Sequence, residues 1–321
     1  MKSIKPLPRK WLALLRKPPA LRPGDRIAIV APASAFGRAE FDAGVQELRQ
    51  LGFDPVYSDA VFARDEYLAG AADLRARDLM QAWSDPDVKG IIAARGGYGS
   101  VQLLPLLDAG VVREQPKAFV GYSDNTSLLI WLMQVCGLVA FHGPMIEGRF
   151  ARGTAGYDRD SFLGNVSQAA PFGEVHDERL ESIRRGEARG MLVGGTLTQL
   201  VASLGTPYAF DPPAGSILFL DEVAERPYRL DRMLTQLRLS GLLARASAII
   251  FNSLPKCDEP GGSPTAKDTV RRVLSDFSGP ILYGLQAGHT EGPALTLPFG
   301  ITVSVLAGAR PSMIIEEAAV S

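Results

Sequence analysis

Through the first half of the chain, short continuous apolar runs alternate with amphipathic stretches. Arg26-Ile27-Ala28-Ile29-Val30-Ala31 is one such run, ended by Pro32, and it predicts a strand buried on both faces. An amphipathic helix is expected over 39–51, closed by Gly52, then a short strand over 54–57 and a helix over about 71–83. A second buried strand over 90–94 leads to a short helix over 101–107, and Ala118-Phe119-Val120 forms a third strand that stops at Gly121. A helix follows at once, with Leu128, Leu129, Leu132, Met133 and Cys136 at helical spacing and Gly137 as its stop. Strand alternating with helix predicts a parallel sheet covered on both faces, with ligands at the carboxyl ends of its strands.

After Phe141-His142-Gly143-Pro144 the pattern dissolves, and residues 151–186 read as a linker without a sustained apolar period. It resumes with a strand over 189–193, a short helix over 197–204, and a buried strand Ser216-Ile217-Leu218-Phe219-Leu220 that ends in Asp221-Glu222. Pro227 opens an amphipathic helix; a strand over 246–251, a helix over 268–277 and a strand over 281–283 come next, with strand-like runs near 295, 301–306 and 313–315 closing the chain. The expected organisation is a basic lead-in at 1–22, an α/β nucleophile domain at 23–150, the linker, and a smaller α/β domain at 187–321 with a mixed or barrel-like sheet.

Composition narrows the function classes. A chain of 321 residues with 46% hydrophobic content can bury a large core, and 34 Lys and Arg against 35 Asp and Glu give no global field toward nucleic acid or membrane. Cys136 and Cys257 are far apart in sequence and the chain has three histidines, His142, His176 and His289, with no His-Glu-x-x-His pattern, so neither a disulfide framework nor a metal site is expected. Residues 1–22 are basic with no acidic residue, but their apolar core, Trp11-Leu12-Ala13-Leu14-Leu15, is too short for a signal peptide. No stretch is long and apolar enough to span a membrane. The expectation is a cytoplasmic protein whose lead-in is a solvated tail or short surface helix.

Four stretches carry candidate chemistry. In Gly121-Tyr122-Ser123-Asp124-Asn125-Thr126, Ser123 sits in a sharp strand-to-helix turn, where free amides and the helix dipole can stabilise negative charge, and Asn125 or Thr126 can cap the helix. Asn125 stands where the ordinary α/β-hydrolase elbow has its second glycine, so that fold is not indicated. Arg95-Gly96-Gly97-Tyr98-Gly99-Ser100 is a poor dinucleotide fingerprint but can supply one amide of an oxyanion hole, the amide of Asp124 supplying the other. Asp221 and Glu222 both qualify by position as the carboxylate that orients a histidine. His289, in Gly284-Leu285-Gln286-Ala287-Gly288-His289-Thr290-Glu291-Gly292, is the best-placed base; His142 reads as pocket wall and His176 as solvated.

Together, Gly121 to Thr126, the Arg95 to Gly99 loop, His142-Gly143-Pro144-Met145, Asp221 to Tyr228 leading into Asp231-Arg232, and Gly288-His289 resemble the LD-carboxypeptidase family of serine peptidases, which includes the microcin C self-immunity peptidases. The resemblance runs from about Pro23 to near the C-terminus. It implies a flavodoxin-like nucleophile domain, a catalytic Ser123–Glu222–His289 triad with Glu222 favoured over Asp221, and oxyanion binding by the amides of Asp124 and Gly97. It also implies a homodimer, no cofactor, and as substrate a murein tetrapeptide met in cytoplasmic peptidoglycan recycling, whose terminal D-alanine is removed. Arg95, Gly96, Tyr98 and Arg226 are the candidate substrate contacts, with Arg95 or Arg226 for the terminal carboxylate. Thr196 departs from the family pattern, where asparagine is expected. Two alternatives stand beside this reading: a microcin-type amidase acting on a peptidyl or aminoacyl nucleotide, and a non-enzymatic module that holds an anion at the glycine loop and the Ser123 helix start.

Overall fold

The computed structural model describes residues 15–175 and 177–321, so most of the basic lead-in and His176 lie outside the described residues. The first half contains strands β1 (Arg26–Val30), β2 (Asp54–Val56), β3 (Val88–Ala93), β4 (Ala118–Gly121) and β5 (Ala140–His142), with helices α1 (Arg38–Gln50), α2 (Ala72–Ser84), α3 (Ala109–Glu114) and α4 (Thr126–Trp131). The strands lie in the order β2-β1-β3-β4-β5 and all run parallel, the flavodoxin-like arrangement. α1 buries Phe41, Gly44, Val45 and Leu48, the i, i+3, i+4, i+7 stripe that makes a helix cover a sheet face.

Helix α5 (Arg159–Ser167) and strands β6 (Gly173–Val175) and β7 (Glu181–Arg184) come next. The expected linker at 151–186 is therefore structured, and β6 and β7 form the two outer strands of a second sheet. They escape a periodicity reading because they are short, and edge strands need few apolar residues. The rest comprises β8 (Gly186–Thr196), α6 (Leu197–Ser203), β9 (Ser216–Asp221), α7 (Pro227–Leu239), β10 (Ala246–Asn252), α8 (Ala266–Val273), β11 (Ile281–Leu285), β12 (Leu297–Phe299), β13 (Thr302–Ala307) and β14 (Ser312–Ile315). The second sheet is mixed, in the order β6-β14-β13-β8-β9-β10-β11-β7, with β8 to β11 parallel and the flanking pairs antiparallel.

The two halves are not cleanly partitioned along the chain. β12 leaves the second half and pairs antiparallel with β5, placing Leu297 opposite His142 at the edge of the first sheet. Residues 15–22, expected as solvated, are packed: Leu15 and Leu21 are buried, the Leu21 amide donates to Val166 O, and Pro18 and Ala20 exchange backbone hydrogen bonds with Ser321. Among the described residues no helix is long and apolar enough to cross a membrane.

Candidate active site

Ser123 stands just past the carboxyl end of β4, at φ 62°. A non-glycine residue in the left-handed region costs roughly 1–3 kcal/mol and persists only where its surroundings impose it. What imposes it is the abrupt change from β4 to the 3-10 turn Ser123–Asn125 that leads into α4. No side chain caps α4 as expected: Asn125 Nδ2 instead donates to the carbonyls of Tyr122 and Arg95, and Thr126 Oγ1 accepts from the Thr196 amide at 3.0 Å.

The glycine loop after β3 lies against this turn. A Cβ on Gly96 would fall 2.8 Å from Ser123 Cβ and 3.1 Å from its Oγ, so only glycine lets the loop backbone reach the serine. Buried Asp124 fixes the loop's far end, with Oδ2 accepting from the Ser100 amide at 2.7 Å and its carbonyl accepting from Ser100 Oγ at 2.6 Å. Ser34, on the loop after β1, accepts from the Tyr98 amide at 3.0 Å. Arg75 donates to the carbonyls of Pro32, Gly70 and Gly99 and to Gln102 Oε1. The loops after β1, β3 and β4 thus meet at the sheet edge where this topology binds ligands.

The candidate base, His289, lies in the second half. His289 Nδ1 lies 2.8 Å from Asp221 Oδ2, and the His289 amide donates to Asp221 Oδ1 at 2.9 Å. The carboxylate on the histidine is therefore Asp221 and not Glu222, which corrects the choice made on resemblance. Asp221 is the last residue of β9, fully buried and in register with Thr196 of β8. Its remaining contacts are Thr196 Oγ1 at 3.0 Å and Asn252 Nδ2 at 2.6 Å. Glu222, one residue further and pointing elsewhere, accepts from the Thr198 amide (2.9 Å) and hydroxyl (2.6 Å) and from the Val223 amide. Thr196, the departure noted in the sequence, is a direct hydrogen-bond partner of the dyad's carboxylate.

Charge follows from this arrangement. Burial is the largest single influence and works against ionising Asp221, but the charge and hydrogen bonds of His289, with His142 adding to them, together hold the carboxyl below its ordinary value. Burial likewise opposes a charged His289, yet the facing Asp221 carboxylate prevails and raises the imidazole. Glu222, with no such partner, is pushed up by desolvation. His142 is wholly buried between Phe219, Phe299 and Tyr122, with Nε2 3.9 Å from Asp221 Oδ2, and burial drives it down to about 4, so it is a neutral wall beneath the dyad.

Tyr122, next to the serine, meets His289 edge to face with ring centroids 5.1 Å apart. Ser123 therefore directly follows the residue whose ring touches His289, although among the described residues no hydrogen bond joins Ser123 Oγ to the imidazole. Such bonds often tighten only when substrate is bound. Of the candidate substrate contacts, Arg95 is ion-paired with Glu147 at 2.9 Å and donates to Ala35 O, and Tyr98 is partly exposed beside Tyr67. Arg226 pairs with Glu259 on the surface at the start of α7. Among the described residues no three His, Cys, Asp or Glu side chains converge to hold a metal.

Arg149, Asn252 and Ser34 shape the site without having been singled out in the sequence. Asn252 had a usable signal, since it ends the strand beside β9 as Asp221 ends β9 itself. Arg149 had none, lying in an irregular segment after β5.

A family model described as the LD-carboxypeptidase N-terminal domain matches residues 27–143, and one described as the LD-carboxypeptidase C-terminal domain matches 189–305. A probable murein peptide carboxypeptidase of Bacillus subtilis is 34% identical over 318 residues, covering 95% of each chain. The crystal structure of a muramoyltetrapeptide carboxypeptidase from Oxalobacter formigenes superposes with a TM-score of 0.79 at 31% identity, covering 90% of this chain and 97% of that one. A microcin C7 self-immunity protein in complex with aspartyl sulfamoyl adenosine shares the fold, with a TM-score of 0.86 at 24% identity over 95% of this chain and 100% of that one. Matched in both halves and along nearly its whole length, the chain belongs to the LD-carboxypeptidase family.

Proposed function

We propose that the protein is a serine carboxypeptidase that removes the terminal D-alanine of murein tetrapeptides, with Ser123 as nucleophile, His289 as general base and Asp221 as its orienting carboxylate. The observation that carries the reading is the buried Asp221–His289 pair, with the imidazole against the ring of Tyr122, the residue before a serine held in a strained turn. Because Nδ1 is committed to Asp221, Nε2 is the nitrogen that takes the proton from Ser123 Oγ. The alkoxide attacks the scissile carbonyl, and the amides of Asp124 and Gly97 receive the charge of the tetrahedral intermediate. His289 then protonates the leaving amine of D-alanine, and water repeats the cycle on the acyl-enzyme to free the shortened peptide.

The substrate's free carboxylate asks for a cation near the loop. Arg95 is the better-placed candidate because it adjoins Gly96, and it would exchange part of its Glu147 pairing for the substrate. Murein peptide is favoured over a nucleotide conjugate because the relatives named for murein peptides stand at 34% and 31% identity, against 24% for the self-immunity protein. The reading includes action in the cytoplasm on recycled peptide and assembly as a homodimer.

Release of D-alanine from a murein tetrapeptide by wild type and by Ser123→Ala, with and without chelator, tests the proposal. Release that survives chelator and disappears in the variant is the expected result. A folded wild type that binds the peptide and releases nothing would leave the anion-binding reading in its place.

A further inference from the structure

Arg149 is nearly fully buried, and each of its five N–H donors is matched by one hydrogen bond. Nε donates to Tyr122 Oη at 3.2 Å. One terminal nitrogen donates to Gly156 O and Gly292 O, both at 3.1 Å, and the other to Gly288 O at 2.7 Å and Thr290 O at 2.9 Å. Three of these acceptors lie on the loop that carries His289, on both sides of the histidine. The fourth and fifth are the phenol of the residue before Ser123 and a carbonyl of Arg149's own segment. We infer that Arg149 is a positioning residue for His289: from the first half of the chain, it fixes the base's loop relative to the nucleophile's turn. The inference rests on the proposed role of His289 as base.

A purely structural arginine would need only enough acceptors to be satisfied. Here the acceptors are four carbonyls and a phenol, so the charge is not cancelled by a carboxylate bonded to it. It stands close enough to His289 to oppose protonation of the imidazole. The groups that face His289 are Asp221 and Glu222, which favour its charged form, Arg149, which opposes it, and the rings of neutral Tyr122 and His142. Arg149 therefore acts on the base in two separable ways, through the geometry of its fork and through its charge.

Arg149→Lys keeps the charge and loses the fork; Arg149→Met loses both. In variants whose far-ultraviolet circular dichroism matches wild type, both should lower kcat for D-alanine release by roughly 10- to 100-fold, with KM changed by less than about threefold. The acid limb of kcat/KM should stay in place in Arg149→Lys and move to higher pH by about half a unit or more in Arg149→Met. An NMR titration of the His289 ring follows the same shift without turnover, so it tests the inference even if murein peptide is the wrong substrate. Unchanged kcat in both folded variants, a loss confined to KM, or an identical His289 titration in wild type and Arg149→Met would overturn it. Should Arg149→Met not fold, the kcat and KM of Arg149→Lys decide.

Discussion

At the scale of single residues, two adjacent acids have opposite fates. Both Asp221 and Glu222 end a buried strand, and the sequence could place a carboxylate there without saying which one meets the histidine. The choice depends on where the strand stops: Asp221 is the last residue in register with Thr196, and the next residue swings to Thr198. Asp221→Asn should therefore lower kcat/KM by about 10²- to 10⁴-fold, because a neutral amide neither fixes the tautomer nor stabilises imidazolium. Glu222→Gln should stay within a few-fold of wild type in rate and cost about 1–3 kcal/mol in stability, since its amide would face the Val223 N–H donor. The pH profile carries the same assignment. As the proposed base, His289 must be neutral, so activity should fall as pH drops through its pKa. Asp221 raises that pKa, which places the acid limb above the ordinary histidine value of about 6.5. Removing the carboxylate charge in Asp221→Asn should move the limb to lower pH while the plateau falls. Equal losses in Asp221→Asn and Glu222→Gln would refute the assignment.

At the scale of elements, the parts that carry periodicity were legible and the parts that do not were not. β1, β3, β4, β9 and β10 are continuous apolar runs, and α1 and α7 show a one-sided stripe; the structure has all of them close to their expected bounds. β5, β6 and β7 are three or four residues long and show no period; β2, equally short, was legible only because it follows a helix closed by Gly52, and α5 is nearly without an apolar face. The nucleophile turn and the glycine loop were legible for a different reason: their residue types are dictated by backbone geometry. Gly96 is the clearest case, because a methyl group there would collide with Ser123 on a backbone held by Asp124 and Ser100. Gly96→Ala should leave the fold intact and lower kcat by roughly tenfold or more, as a displacement of about an ångström at the nucleophile does elsewhere. Measured kcat beside a thermal melt checks this, and a full-rate Gly96→Ala enzyme would mean that the loop does not constrain Ser123.

At the scale of the whole molecule, the expectation of two domains joined by a linker meets a chain that is stitched across its middle. β12 completes the first sheet from the second half, residues 15–22 are tied to Ser321, and Gln134 Nε2 of the first half donates to Ala209 O while its Oε1 accepts from the Asp211 amide. Arg149 and the bond from the Thr196 amide to Thr126 join the halves beside Ser123 and His289. None of these contacts could be read from local patterning, since each depends on residues far apart in sequence. They bear on the proposed function because the proposed nucleophile, Ser123, and the proposed base, His289, come from opposite halves, and misplacing one against the other by about an ångström would cost rate steeply. A hinge between freely moving domains would require few bonds across the junction; the number here argues for halves held fixed against each other. Calorimetric unfolding should therefore show one transition, with a van't Hoff enthalpy equal to the calorimetric enthalpy per protomer. Leu21→Ala, which opens space against Gly90 near the start of β3, away from the strand ends that carry the glycine loop and Ser123, should lower the midpoint of that single transition at a stability loss on the order of 2–5 kcal/mol. Two resolved transitions in wild type, or a Leu21→Ala chain in which only one half melts early, would show that the halves fold independently and that Ser123 and His289 are held together by something other than these crossings.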